Sequence, residues 1–487
     1  MAQDATVATT GARPWSVVPS LGLSSTHYNV RGEEADPQRL GTELVTQIAP
    51  GVLISGRGGR VRGSLDYALV GTVHARRSQL DAITHALTAS GQVEAVPGWA
   101  YADLKANISQ QAASPYGLQP TPGSVSTDPN IREVTTLSIS PYLRGPVASW
   151  ANYELRFSGN TTSVRRTSEG DSTNLVTSLT LQSRPGLKVG WNVLASQQRI
   201  DFRAGKTSGI YRLVLGSNYA PEPDLILSLR TGVESTNVGT PLRESSTNWG
   251  AGLRWTPSPR TLVSVDLDRR YFGNGHQVVV EHRQRRTAIR FSSARNSTAG
   301  SDASGVGSPV TLFQLYMLQY ASIEPDATLR ELRVRELLRL TNQNPNSLLV
   351  GGLATSAVAL QRRDDLALSY VGQRSSVTAL AFTSSTEAID RVGNQPATGR
   401  VRQVGASLSG SHRLTLLTSI NLVGNYQRTL DALPLQPNNS SKSVSLGLST
   451  ALSPSTTGSL TARETVFTGQ PFPNRETALS GSLNVRF

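Results

Sequence analysis

No cysteine occurs among the 487 residues. That absence excludes a disulfide scaffold, a thiolate metal site and a cysteine nucleophile. Long apolar runs are also missing, and mean hydropathy is -0.24. A spanning helix needs about 20 largely apolar residues in succession, so a helical membrane protein is excluded. A membrane is not excluded, because a barrel that alternates lipid-facing and lumen-facing residues averages out as mildly polar. Lysine is scarce: Lys105, Lys188, Lys206 and Lys442 are the whole complement, and arginine supplies the rest of the 47 basic residues set against 34 acidic ones. The formal charge of +13 is scattered along the chain. A nucleic-acid binder would gather it into one patch, so no nucleic-acid partner is expected.

What the chain has in abundance is alternation. Near the end, Val485, Leu483, Gly481, Leu479 and Thr477 alternate with Arg486, Asn484, Ser482, Ser480, Ala478 and Glu476. The same period of two sets Leu187, Val189, Trp191 and Val193 against Lys188, Gly190 and Asn192, and Val444, Leu446 and Leu448 against Ser443, Ser445 and Ser449. Strands with one greasy and one wet side predict a closed sheet between lipid and water.

The connections alternate too. Short turns are predicted at 56–59, 96–99, 144–147, 183–186, 220–223, 256–260, 283–286, 372–374, 410–413 and 453–456, with longer polar loops between them, as at 28–40, 113–130, 159–171, 387–398 and 429–440. Ten turns and two terminal strands give 22 strands, within a range of 20 to 24. The expected fold is therefore all-β: a transmembrane, antiparallel, up-and-down barrel over residues 15–487, preceded by a flexible segment 1–14. Trp15, Trp99, Trp150 and Trp255 fall near the short-turn ends, as an interfacial aromatic girdle would. The first residues hold no apolar run of the signal-peptide kind. Export to the outer membrane of a Gram-negative bacterium is expected, with the leader already removed.

Residues 309–342 break the pattern. Leu312, Leu315, Tyr316 and Tyr320 recur at helical spacing, followed by Leu329, Leu332 or Arg333, Glu336, Leu337 and Leu340, and Glu324-Pro325 suits a helix start. Strand parity assigns this insert to the long-loop, extracellular side. It is either a cap on the loops or a constriction of the lumen, with Leu312, Leu315, Tyr316, Tyr320, Arg330 and Arg333 as the constriction candidates.

The stretches 44–69, 108–117, 137–144, 311–322 and 360–363 resemble the outer-membrane barrel proteins associated with PEP-CTERM and exopolysaccharide systems, a porin-like group. The resemblance implies a barrel and, through that association, a part in exopolysaccharide export with a periplasmic export partner. It supplies no catalytic residues.

Little else points to chemistry. His27, His74, His85, His276, His282 and His412 lack metal-ligand spacing, His276 and His282 reading as rim or lumen polarity. The GRGG at 56–59 has no phosphate-loop lysine, and no GxSxG elbow occurs, so no enzyme, cofactor or metal is expected. The lumen is expected to be lined by Arg62, Asp66, Glu154, Arg156, Lys188, Arg212, Arg230, Glu234, Arg254, Asp266, Asp268, Arg270, Glu476 and Arg486, eight basic and six acidic groups. Such a mixed wall suits a wide conduit for weakly charged solutes better than a strict anion filter.

Much of the remaining charge falls in short turns, either as ordinary solvated turn residues or positioned to meet lipid headgroups or an acidic periplasmic partner. Phe487, ending an amphipathic strand, is the expected signal to the barrel assembly machinery. The functional expectation is a conduit for exopolysaccharide; the alternatives are a plug-less uptake channel for small solutes and a structural or adhesin barrel. A plugged uptake receptor is set aside, since alternation begins by residue 15 and leaves no room for a plug domain.

Overall fold

The computed structural model describes residues 15–32, 40–113, 130–168, 170–299, 310–311, 313, 316–317, 320, 324, 327–340, 348–350, 357–389, 400–430, 439–469 and 473–487. Leu312, Leu315 and segment 1–14 lie outside that set.

Twenty-two strands form one antiparallel sheet. Each pairs with its neighbour in sequence, and the first strand, Trp15–Arg31, also pairs with the last, Asn474–Arg486, from Ser20↔Arg486 to Arg31↔Arg475. That seam leaves no edge, so every strand's backbone polar groups have partners on both sides. Strands run from 10 residues (Thr261–Arg270) to 18 (Gly41–Gly58).

Polarity is inverted relative to a water-soluble protein. Outward positions are apolar and exposed: Leu229 is 68% and Val444 57% exposed. Inward positions are polar and buried, as in Ser407, Ser409, Thr378 and Asn421. Strict alternation produces this, because register partners share a face and neighbours along a strand do not.

Ten short turns occur on one rim, near all ten expected places. Pro185-Gly186 shows why the signal is readable: Gly186 adopts φ +93°, which the second central position of such a turn demands. Two turns sit further along the chain than expected. Arg144–Val147 continues a strand, and its turn follows at 148–150, where Ala148 takes φ +50° without the glycine that would have advertised it. Gly410–Arg413 is likewise strand, and the chain reverses at 414–417, where Thr415 Oγ1 accepts from the Leu417 and Thr418 amides at 3.1 and 2.9 Å. Three leucines in that turn masked it.

The other rim carries the longer connections, with one exception: Tyr271 and Phe272 alone link Thr261–Arg270 to Gly273–Arg283. The insert leaves from this rim between Thr287–Ala299 and Val358–Val371, which pair directly beneath it. Its helix spans Ala327–Leu340, and Phe313, Tyr316, Met317 and Tyr320 are helical in the segment before it.

Candidate functional site

The barrel interior is divided between two kinds of wall. One is paved with hydroxyls and amides from Val401–Arg413 through the seam. There Ser407 donates to Asn425 at 2.7 Å, Ser419 and Ser449 hydroxyls meet at 2.8 Å, and Thr26 meets Ser480 at 2.8 Å. The other, from Ala82–Val96 to Gly273–Arg283, carries charge.

In the charged wall Arg156 is the centre of a first cluster. Its guanidinium reaches Asp103 and Glu154 at 2.9 Å each and lies 3.9 Å from the Tyr142 ring centroid. Gln92 Nε2 donates to Asp103 at 2.8 Å and to the Tyr142 hydroxyl at 2.9 Å. Arg144, expected in a turn, instead stacks over Tyr101 at 4.2 Å. A second cluster pairs Arg230 with Asp266 at 3.0 Å and Arg270 with the fully buried Glu234 at 2.5 Å. Arg212, the register partner of Glu234, stands beside them. Glycine makes this flat packing possible at Gly252, where a Cβ would come within 2.7 Å of Asp266 Oδ1.

Of the expected lumen residues, Arg62, Asp66, Glu154, Arg156, Arg212, Arg230, Glu234, Arg254, Asp266, Asp268, Arg270, Glu476 and Arg486 all hold inward register positions. Lys188 does not. It lies in the turn ahead of Val189–Phe202, exposed, because the strand begins two residues later than the alternation suggested. His276 and His282, read as rim or lumen polarity, both face outward, bonded to Ser293 Oγ at 3.0 Å and Thr261 Oγ1 at 2.9 Å, with His282 next to a short turn at the rim. Alternation fixes which residues share a face but not which face is wet, and this pair sits on the outer one. Asp103, Lys105 and Gln92 were missed despite legible alternation with Ala102, Leu104 and Ala106.

The insert packs on inward-facing side chains. Tyr316, Val334 and Leu338 are buried with Ala367, Leu380 and Phe382 of two adjoining strands, and Phe313, Met317, Tyr320 and Leu337 pack around them. Each such side chain contributes roughly 1.5–3 kcal/mol on burial. The Tyr316 hydroxyl meets Ser409 Oγ at 3.3 Å. From the helix, Arg335 reaches a distant strand, Val61–His74, binding Asp66 at 3.2 Å and Ser64 at 3.4 Å while Glu331 holds it at 2.9 Å. Arg335 was not among the constriction candidates. Of those, Tyr316 and Tyr320 pack inward, Arg330 donates to the Glu324 carbonyl at 2.9 Å, and Arg333 is exposed.

Burial pushes the Tyr316 phenol up to about 12 and raises Tyr320 as well. For Tyr316 the sign is that of a group held neutral. Its contribution to docking is fully present below 10.0, the ordinary tyrosine value, and is lost as pH rises towards about 12. Docking of this residue is therefore expected to survive titration from pH 7 to about 10. Fluorescence of a probe attached to the insert checks it, and undocking within that window would contradict the seat.

No family model matches the chain, and no curated protein matches it. Among solved structures, it is similar to OccK2 (OpdF) of Pseudomonas aeruginosa at 9% identity and TM-score 0.35, covering 97% of this chain and 98% of that one. It is similar to the siderophore receptor PirA of the same organism at 10% identity and TM-score 0.36, covering 98% and 81%. A BenF-like porin from Pseudomonas fluorescens Pf-5 gives 8% identity, TM-score 0.37, and coverage of 97% and 99%. Likenesses this weak carry no argument about function.

Proposed function

We propose that this chain is an outer-membrane channel for small hydrophilic solutes, a wide barrel whose bore is narrowed by the insert. One observation carries the reading: an apolar exterior encloses a polar interior, and the insert is seated on that interior wall. Exposed leucines in register around a closed sheet are costly in water and favourable in hydrocarbon. Barrels of this strand number have room inside for folded chain. With the insert against Ala367, Leu380 and Phe382, the remaining passage runs beside the charged wall. Its opposite charges are mostly paired, which suits polar solutes more than a strict single-sign filter.

Export of exopolysaccharide, and with it membership of the PEP-CTERM-associated group, has less support. A polymer chain would have to share the bore with the insert, which small solutes need not do. The exposed terminal Phe487, whose amide donates to the Pro19 carbonyl at 3.0 Å, suits recognition by the assembly machinery. The test is reconstitution in planar bilayers: discrete conductance steps in potassium chloride are expected. A folded, inserted barrel that passes no current would sink the channel reading and favour a structural or adhesive role.

A further inference from the structure

Strand register sets two pairs of arginines side by side on the outer surface. Arg31 is the register partner of Arg475 across the seam, and Arg295 is that of Arg362. Their parity is that of the exposed apolar residues: Arg475 shares a face with Leu479, Arg362 with Leu366, and Arg295 with Phe291. In Asn474–Arg486 and Thr287–Ala299 the arginine lies four positions past the last large apolar residue of its face, towards the long-connection rim, while in Val358–Val371 Arg362 stands between Leu366 and Leu360 on that face. Both pairs thus lie towards the long-connection end of their strands, where large apolar side chains become sparse on the outer face.

Like charges directly opposite one another weaken a strand pair. Nearby acids answer only half of this charge. Asp364 binds Arg362 at 3.2 Å and Glu464 binds Arg475 at 2.5 Å. Among the described residues, neither Arg31 nor Arg295 forms an ion pair with a carboxylate. Among the described residues each pair therefore keeps one guanidinium that no carboxylate answers, Arg295 donating instead to the Asn274 carbonyl. Lys442 extends the belt, its ammonium 5.8 Å from the outward Tyr426 ring, an arrangement suited to a membrane interface.

The surroundings narrow the anion's chemistry. Two adjacent guanidiniums offer a fan of donors that a phosphate's several oxygens can bridge. Leucines directly below offer nothing to a free ion but do hold acyl chains. We propose that Arg31/Arg475 and Arg295/Arg362 are headgroup sites for a phosphorylated, acyl-chain-bearing lipid of the leaflet facing the long connections. The proposal rests on the membrane reading above, not on channel activity.

Phosphatidic acid is a direct probe, with diacylglycerol and inorganic phosphate as controls. Detergent-purified wild type, Arg31→Gln/Arg475→Gln and Arg295→Gln/Arg362→Gln are compared by native mass spectrometry, after heat-modifiable gel migration has shown that each is folded. Wild type is expected to retain phosphatidic acid and neither control. Each double variant should lose about half of the bound lipid, and the quadruple variant combining them should retain roughly tenfold less or lower, in line with the contribution of basic residues at an anionic surface. Arg31→Glu separates binding from folding: it relieves the repulsion with Arg475, so the melting temperature without lipid should hold or rise while retention falls. Equal retention by the variants, or inorganic phosphate held as firmly as the lipid, overturns the proposal. A monodisperse barrel without detergent instead overturns the membrane reading beneath it.

Discussion

Deleting residues 309–342 is expected to raise single-channel conductance severalfold. The insert is held at two separate parts of the wall, by Tyr316, Val334 and Leu338 against Ala367, Leu380 and Phe382, and by Arg335 on Asp66. A segment fixed at both places lies across the bore, and ion flow scales with the open cross-section that it takes up. Strands Thr287–Ala299 and Val358–Val371 pair without help from the insert, so the barrel should close in its absence. A graded test leaves the chain at full length. Leu338→Asp puts a carboxylate where the side chain is 1% exposed, at a cost of several kcal/mol. That variant should flicker between the two conductance levels. Unchanged conductance in both variants would show that the insert stands outside the ion path.

Glu234→Gln is expected to destabilise the barrel and shift its selectivity towards anions. Glu234 is fully buried and holds Arg270 at 2.5 Å, with Arg212 as its register partner. Breaking a buried pair from one side strands the other charge, typically at about 3–5 kcal/mol. Arg212 and Arg270 would then face the lumen with Asp268 as their remaining carboxylate neighbour. Reversal potential in a salt gradient should move towards the chloride potential, and the unfolding midpoint should drop. Adding Arg270→Gln should restore most of both losses. A reversal potential unmoved by either change would place this cluster away from the permeation path.

Strand number, direction and rim were legible in this chain because one physical rule governs all of them. A sheet between hydrocarbon and water must alternate, and its turns need residues that alternation does not supply. Pro185-Gly186 announced its turn through backbone geometry, whereas Leu414 and Leu416 hid theirs behind apolar side chains. Parity found the inward residues Asp266, Asp268 and Arg270, but it could not tell that His276 and His282 look outward. Site geometry was harder still. Arg335 meets Asp66 across 269 positions of sequence, and no local pattern encodes a contact of that span. Helical spacing revealed the helix Ala327–Leu340 and the helical Phe313, Tyr316, Met317 and Tyr320, though Val310–Thr311 is a short strand paired with Leu348–Val350, and the same stripe of leucine and tyrosine fits loops or lumen equally. The apolar patch at Ala367, Leu380 and Phe382 that seats the insert, and the Arg335–Asp66 contact, distinguish the two.

The seam has a consequence for how the barrel comes to exist. Hydroxyls of Thr26 and Ser480 meet across 454 positions of sequence, while all other strand pairs join near neighbours. Hairpins can therefore zip progressively, but the ring closes only after the last strand has been made and brought back to the first. Until then both terminal strands are bare edges, each a template for pairing with another chain. The interval between synthesis and closure is the aggregation hazard in this molecule's life. The residues that shorten it are those of 20–31 and 475–486, whatever they do in the finished barrel.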